Sequence, residues 1–479
     1  MTGHSVEKIG GTSMAATATL FDNVLIAGRA GADLYNRIFV VSAYAGMTDL
    51  LLENKKSGAP GVYGRFVADE DAGGWREAME AVRRAMQARN AAMFARPESR
   101  AEADAFVDTR IATVAACLDD LARLRAHGRF CVKEQLMTVR ELLAGIGEAH
   151  SAHSTALLLR DRDVNARFVD LTLWDQEDLS SLDERIGDAF AAIDLATTMP
   201  IVTGYAGCEG GMVRRYARGY TEMTFSRLAV LTGAREAIIH KEFHLSSADP
   251  KLVGEDKARK IGRTNYDVAD QLANLGMEAI HPGAGRGLRQ ADIPLRVRNT
   301  FDREDEGTLV TGGYVSDVPR VEIVTGIRQM QALTFFEQDM VGMKGYDAAI
   351  LDALTRHRVW IVSKSSNANT ITHYLSASAE VVKNVIADLQ KAYPEAAISA
   401  QPVAMVSAIG SDIARPGMVP DALRALDDAG IGMIALQHQI RNVDVQFIIE
   451  SGDFDAAVRV LHKALVEGDV KTGEDRRAA

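Results

Sequence analysis

From about residue 320 onward the sequence repeats itself at a fixed offset of 72 residues. Gly345 and Gly417 are related in this way (417 − 345 = 72), as are Leu351 and Leu423, Ala353 and Ala425, and Leu354 and Leu426. The apolar runs Val359-Trp360-Ile361-Val362 and Ile431-Gly432-Met433-Ile434 keep the same offset. So do the alternating segments Thr370-Ile371-Thr372-His373-Tyr374 and Asn442-Val443-Asp444-Val445-Gln446. An offset held without gaps over four elements describes one supersecondary unit used twice, each copy covering the apolar face of its neighbour. Each copy reads strand, glycine turn, helix, two strands, helix, which is a small ferredoxin-like module. We place the copies at 321–393 and 399–470.

A chain of 479 residues is too long for one core, and the segment ahead of the repeats is patterned differently. From residue 1 to about 310, compact apolar runs alternate with helical stretches. The runs include Ile38-Phe39-Val40-Val41, Pro200-Ile201-Val202-Thr203, Ala237-Ile238-Ile239 and Leu295-Arg296-Val297; the longest helical region spans about Trp75 to Leu124. This alternation predicts an α/β domain over 1–310 with a mainly parallel sheet covered on both faces. Ligands of such sheets gather beyond the strand C-terminal ends, so the loops after these strands are where chemistry is expected. The glycine-rich stretch Thr311–Pro319 marks the boundary.

Composition excludes several classes. A net charge of −11 is wrong for a nucleic-acid partner, whose phosphates need a basic surface. Cys117, Cys131 and Cys208 have neither disulfide nor zinc spacing and read as small buried side chains in a reducing compartment. No apolar run is long enough to span a bilayer, and the N-terminus leads into a strand, not a signal peptide, so the expected location is the cytoplasm. His150 and His153 could share a helix face, but no third ligand accompanies them, and we expect no protein-built metal site. The C-terminal residues from Glu467 to Ala479 are polar and read as a frayed end.

Three loops could carry chemistry. Lys8-Ile9-Gly10-Gly11-Thr12-Ser13 follows a strand and opens a helix that Thr12 or Ser13 could cap. Its glycines allow close approach to a phosphate, and Lys8 adds a full positive charge, yet such a segment is often only a turn. Ser42-Ala43-Tyr44-Ala45-Gly46-Met47-Thr48-Asp49 is a second strand-end loop, whose small residues and hydroxyls suit a ligand and equally an ordinary turn capped by Thr48. Ala217-Arg218-Gly219-Tyr220-Thr221-Glu222 sets an arginine beside a helix N-terminus, an anion site by charge and dipole. Gly283-Ala284-Gly285-Arg286-Gly287 lacks a preceding strand and is no dinucleotide fingerprint.

The order and spacing of these loops resemble the aspartokinases of the amino-acid kinase family. That family's Lys-Phe-Gly-Gly-Thr-Ser is matched by Lys8–Ser13, its Val-Ser-Ala by Val41-Ser42-Ala43 with Thr48, and its helical Gly-Glu by Gly147-Glu148. Its Arg-Gly-Gly-Ser-Asp loop is represented by Arg218-Gly219-Tyr220-Thr221-Glu222, followed by Asp249-Pro250, His281-Pro282 and Pro294-Leu295-Arg296-Val297. The repeats resemble the paired ACT regulatory modules of these enzymes. Residues 7–14, 219–225 and 240–250 most resemble the branch attached to ectoine biosynthesis. There are departures. His240-Lys241 stands where most aspartokinases have Thr-Asp, Ser246 replaces a tyrosine near the adenine, and Glu278 replaces a lysine before His-Pro.

The resemblance implies a carbamate-kinase-like sandwich followed by two ACT modules. It implies transfer of the ATP γ-phosphoryl group to the side-chain carboxylate of L-aspartate, with Mg²⁺ carried by the nucleotide. By the same resemblance Lys8 and Arg218 are catalytic, and Ser42, Thr48, Glu148 and Arg218 hold aspartate. Lys8, Gly10, Gly11, Thr221, Glu222, Lys241 and Lys251 face ATP. Dimerisation or higher self-association through the ACT modules is expected, with no nucleic acid and no membrane. The departures also suit a second reading, a non-catalytic ACT-type amino-acid sensor with a degenerate kinase lobe.

Overall fold

The computed structural model describes residues 3–55, 57–68, 74–127, 130, 132, 134–172, 180–216, 219–277 and 280–468. Two compact units result, Met1–His244 with Ile280–Thr311, and Leu245–Ala279 with Gly312–Ala479.

The first unit is built on a sheet whose central strand, Ser5–Ile9, is buried along its whole length. Arg37–Val41 and Glu236–Lys241 flank it in parallel. The strand order runs Ala166–Val169, Met199–Thr203, Arg37–Val41, Ser5–Ile9, Glu236–Lys241, Leu295–Asn299, Thr308–Thr311, and only the last of these pairings is antiparallel. The apolar runs form strands because both faces are covered: Ile38, Phe39, Val40 and Val41 are all fully buried, each contributing about 1.5–3 kcal/mol of transfer free energy. The 26-residue helix Gln135–Arg160 packs on Ala166–Val169 and Met199–Thr203. Tyr220–Thr232 packs on the central strand and stops at Gly233, whose φ of 65° is the left-handed conformation a helix C-terminus favours.

Register decides where chemistry can sit. Ile9 lies opposite both Val41 and His240, so three strands end at one level, and Gly10, Ser42 and Lys241 leave from a common edge. The loops are laced there: the Ser42 amide donates to the Ile9 carbonyl (3.1 Å) and the Gly10 amide to that of His240 (3.4 Å).

Three sequence expectations need correction. The helix after Lys8 is Gly11–Ala15 with Gly10 at its N-cap and no side-chain cap; Ser13 instead turns inward, its hydroxyl accepting from Thr300 Oγ1 at 2.8 Å. Thr48 does not cap Met47–Leu51 either, because Gly46, with φ 85°, occupies that position. Of the cysteines, Cys208 is buried as expected but Cys117 is exposed on the helix Pro97–Ala126; Cys131 lies outside the described residues, as does the tail after Gly468. Among the described residues no helix is long and apolar enough to cross a membrane.

In the second unit each sequence repeat supplies three strands to one antiparallel sheet. Its order is Trp360–Ser366, Thr370–Ser376, Ile323–Phe336, Ala397–Ile409, Asp444–Ile449, Met433–His438. The two long strands pair at its centre, with Ile323 opposite Ile409 and Phe336 opposite Ala397. The repeat thus becomes a near two-fold relation within one sheet. Its glycines have a conformational reason: Gly345 and Gly417 precede the helices Tyr346–Arg356 and Met418–Asp428 with φ of 107° and 81°. The offset pairs Ile350 and Ala422, and Leu354 and Leu426, are buried in equivalent places. Residues 245–279 belong to this unit by packing, since Leu245, Val268 and Leu272 join the core of Ile323, Met405 and Ile448.

Candidate active site

At the common strand edge of the first unit, Lys8 is only 8% exposed. Its Nζ lies 3.2 Å from Glu222 Oε1, and Lys241 Nζ approaches the same oxygen at 3.9 Å. Glu222 is in the first turn of Tyr220–Thr232, where an acid favours the helix dipole. Its other oxygen accepts the backbone N–H of His281. Burial opposes its charge, but Lys8, Lys241 and the His281 amide outweigh burial and hold the carboxyl below its ordinary range. Gly11 lies so close to the Ala43 carbonyl that a Cβ would stand 2.7 Å from that oxygen, so no larger residue fits between the two loops.

Glu148 projects from Gln135–Arg160 and is 2% exposed. Thr221 Oγ1 donates to its Oε1 at 2.7 Å. Its Oε2 is buried with no well-aligned donor, although the amides of Tyr205 and Ala43 are close enough to favour the charged form. Burial dominates over Thr221, Lys8 and those amides, pushing the carboxyl up to about 8. A side chain at Gly204 would stand 2.3 Å from Thr221 Cγ2 and 2.8 Å from Glu148 Oε2, so this corner also depends on glycine. The site is therefore a buried carboxyl with an unused acceptor beside two lysines converging on a carboxylate.

The structure brings Lys8, Gly10, Gly11, Glu148, Thr221, Glu222 and Lys241 together at this edge. Ser42 is half-buried there, and its carbonyl accepts from Ser151 Oγ (2.8 Å), which ties the loop to the Glu148 helix. Thr48, also half-buried, sits one turn further on. Lys251 belongs to the other unit and is exposed on the short helix Pro250–Val253, its amide capped by Asp249 Oδ1 at 2.9 Å. Arg218 and Glu278 lie outside the described residues.

Other histidines serve packing. His150 is bonded to Asn90 (2.8 Å) and held near 3 by burial, while His153 stacks on Phe106 with ring centroids 4.1 Å apart. His240, one of the departures from the family pattern, faces Glu7: Nε2 is 2.8 Å from Glu7 Oε2. Arg37 Nε donates to the other oxygen at 2.8 Å and its Nη atoms donate to the Leu25 and Val24 carbonyls. Burial opposes the Glu7 charge, but Arg37 and His240 hold the carboxyl far below its usual range. Truncating Arg37 alone would leave that buried charge to the hydrogen bonds of His240 and Ser5, at a cost of about 3–5 kcal/mol.

One positioning residue escaped the sequence reading. Glu141, two turns before Glu148, accepts the Tyr205 hydroxyl and the Val213 amide on Oε2 and the Arg214 amide on Oε1, all at 2.9 Å. It pins the start of Met212–Tyr216, the helix leading toward Arg218. Only its spacing of seven residues from Glu148, one helix face, could have signalled it.

The pattern of the amino acid kinase family matches residues 5–299. Aspartate kinase Ask_Ect of Stutzerimonas stutzeri (strain A1501) is 48% identical over 471 residues, covering 98% of this chain and 99% of that protein. Aspartokinase III of E. coli, solved with aspartate and ADP in its R-state, superposes with a TM-score of 0.71 at 19% identity over 96% of this chain and 99% of its own. Its T-state, solved with lysine and aspartate, gives 0.69 at 18% identity over 97% and 99%. The chain belongs to the amino acid kinase family and, within it, to the aspartate kinases. It is an enzyme, and its fold is that of the amino acid kinases with C-terminal ACT-like subdomains. The sensor reading is set aside on this ground.

Proposed function

We propose that Lys8, held at the strand end against Glu222, is the group that meets the γ-phosphoryl group as ATP phosphorylates the side-chain carboxylate of L-aspartate to 4-phospho-L-aspartate. The acceptor is already ionised at neutral pH, so the reaction needs no general base. Such transfers proceed mainly by positioning and charge stabilisation. The observation that carries this reading is the convergence of Lys8 and Lys241 on Glu222 (3.2 and 3.9 Å), beside the Gly10-Gly11 turn. Arriving phosphate oxygens replace Glu222 as the partner of both lysines, while the Gly10 and Gly11 amides cradle the anion.

Glu148, with Oε2 unused, receives the aspartate ammonium, and Thr221 keeps the carboxyl oriented. Ser42 and Thr48 place the reacting carboxylate, and Arg218 takes the α-carboxylate, as the resemblance implies. We assign Lys251 to the ATP phosphates on the same ground. Magnesium, when bound with the nucleotide, neutralises and orders its phosphate oxygens. The donors here, lysines and backbone amides, suit phosphate, so the ion is left to nucleotide oxygens and water.

We assign catalysis to 1–310 and regulation to the modules 321–393 and 399–470, through which the protein forms a homodimer or larger assembly. We propose that the reaction runs in the cytoplasm and, from the resemblance to the ectoine-attached branch, that its product feeds synthesis of that osmolyte. Aspartate-dependent release of ADP from Mg-ATP tests the proposal. No ADP with aspartate present, or the same rate without it, counts against it.

A further inference from the structure

Glu7 and Lys8 are consecutive in a strand and so point to opposite faces of the sheet. On the face of Glu7 lies a second polar cavity of about 470 Å³. Five arginines line it, Arg29, Arg37, Arg235, Arg296 and Arg298, against three carboxylates, Glu7, Asp33 and Glu236. Two of the three acids are already engaged: Glu7 by Arg37 and His240, and Glu236 by Arg296 at 2.8 Å. Among the described residues Arg29, Arg235 and Arg298 have no carboxylate partner. Arg298 donates only to the carbonyls of Arg303 and Asp305, at 3.1 Å each. Nη1 of Arg29 is buried with no acceptor at all. Burial, together with the guanidiniums of Arg37, Arg298 and Arg303, depresses the Arg29 pKa despite the nearby Glu7.

A buried guanidinium N–H without an acceptor costs free energy, and crowded like charges add to that cost. A multivalent oxyanion removes both penalties, because guanidinium forks match its oxygens in pairs. We propose that this cavity binds a small phosphate-bearing anion, separate from the ATP cradle across the sheet. The ligand is inorganic phosphate or a small phosphate ester; the volume has room for either.

Thermal melts and calorimetric titrations with inorganic phosphate and with glycerol phosphate test this. Both are run under saturating ADP to fill the cradle and at ionic strength matched with potassium chloride. Phosphate should raise Tm with a logarithmic dependence above Kd, in wild type and in Lys8→Ala alike. Arg29→Gln with Arg235→Gln should weaken Kd at least about tenfold while leaving kcat within about twofold. Tighter binding of glycerol phosphate would assign the ester, tighter inorganic phosphate the free ion. Absence of a shift beyond the chloride control, or an undiminished shift in the double variant, overturns the proposal. Should that variant fail to fold, phenylglyoxal labelling of the wild type under ADP decides: phosphate must protect Arg29, and equal labelling with and without it is the contrary result.

Discussion

The parallel sheet around Ser5–Ile9 ends in buried charge, whereas the antiparallel sheet of the repeats ends in apolar packing and open edges. In the first, Lys8, Glu148, Glu222 and His240 are all nearly inaccessible, and each charge is offset by a named partner or displaced in pKa. In the second, the long paired strands bury Leu333, Phe335 and Val406, while the edge strands expose Trp360, Met433 and Ile434. Even their histidines differ. His240 is buried against Glu7 at 2.8 Å, but His373 is fully buried with neither ring nitrogen hydrogen-bonded, Asp347 being 3.7 Å away. One sheet desolvates charges, which strengthens their interactions with one another. The other presents strand edges suited to pairing.

The two sheets should differ most in their response to substitution at Lys8. Lys8→Ala should lower kcat about a thousandfold with little change in Tm; near wild-type turnover would remove Lys8 from the chemistry. Phe447→Ala, in the repeat core, should instead cost about 3–5 kcal/mol of stability and leave kcat below the melting transition unaltered. Denaturant titration beside steady-state kinetics separates the two outcomes, and a kcat loss matching Lys8→Ala would erase the division between the sheets.

Subtler effects sharpen it. Only ionised Glu148 pairs with an ammonium, and burial pushes its carboxyl up to about 8. The aspartate KM should therefore fall as pH rises from 6.5 toward 8, by up to about tenfold per unit. Glu148→Gln should raise KM about tenfold or more and flatten that slope; a slope that persists in the variant belongs to another group. The smallest effect is expected at His373. Its pKa is lowered by burial, with Asp347 opposing. The unfolded chain thus binds more protons than the folded one below the usual histidine pKa, and stability is lost as pH falls from 6.5. His373→Leu should reduce the drop in Tm between pH 7 and 5, and an unchanged drop would contradict the assignment.

Much of this was legible in the sequence because local pattern carries it. The apolar runs gave the strands, the constant offset gave the repeat, and Lys8 ahead of two glycines marked a strand end followed by a glycine turn into a helix. What could not be read depends on register between distant segments. His240 stood out as a departure, yet its role follows from lying near Glu7, 233 residues earlier, in adjacent parallel strands. The expected caps at Thr12, Ser13 and Thr48 failed because Gly10 and Gly46 take the N-cap positions, and hydroxyl propensity says nothing about which residue the chain turns on. Glu141 was invisible for a similar reason, as its partners Tyr205, Val213 and Arg214 arrive only when the helix and the loop fold together.

The central claim is that the buried charges of the first sheet serve to phosphorylate aspartate. Incubating the protein with Mg-ATP and either aspartate or glutamate, then trapping acyl phosphate as a hydroxamate, addresses it most directly. Hydroxamate from aspartate alone is the expected result. Product from glutamate at a comparable rate, or from no acid at all, would contradict it.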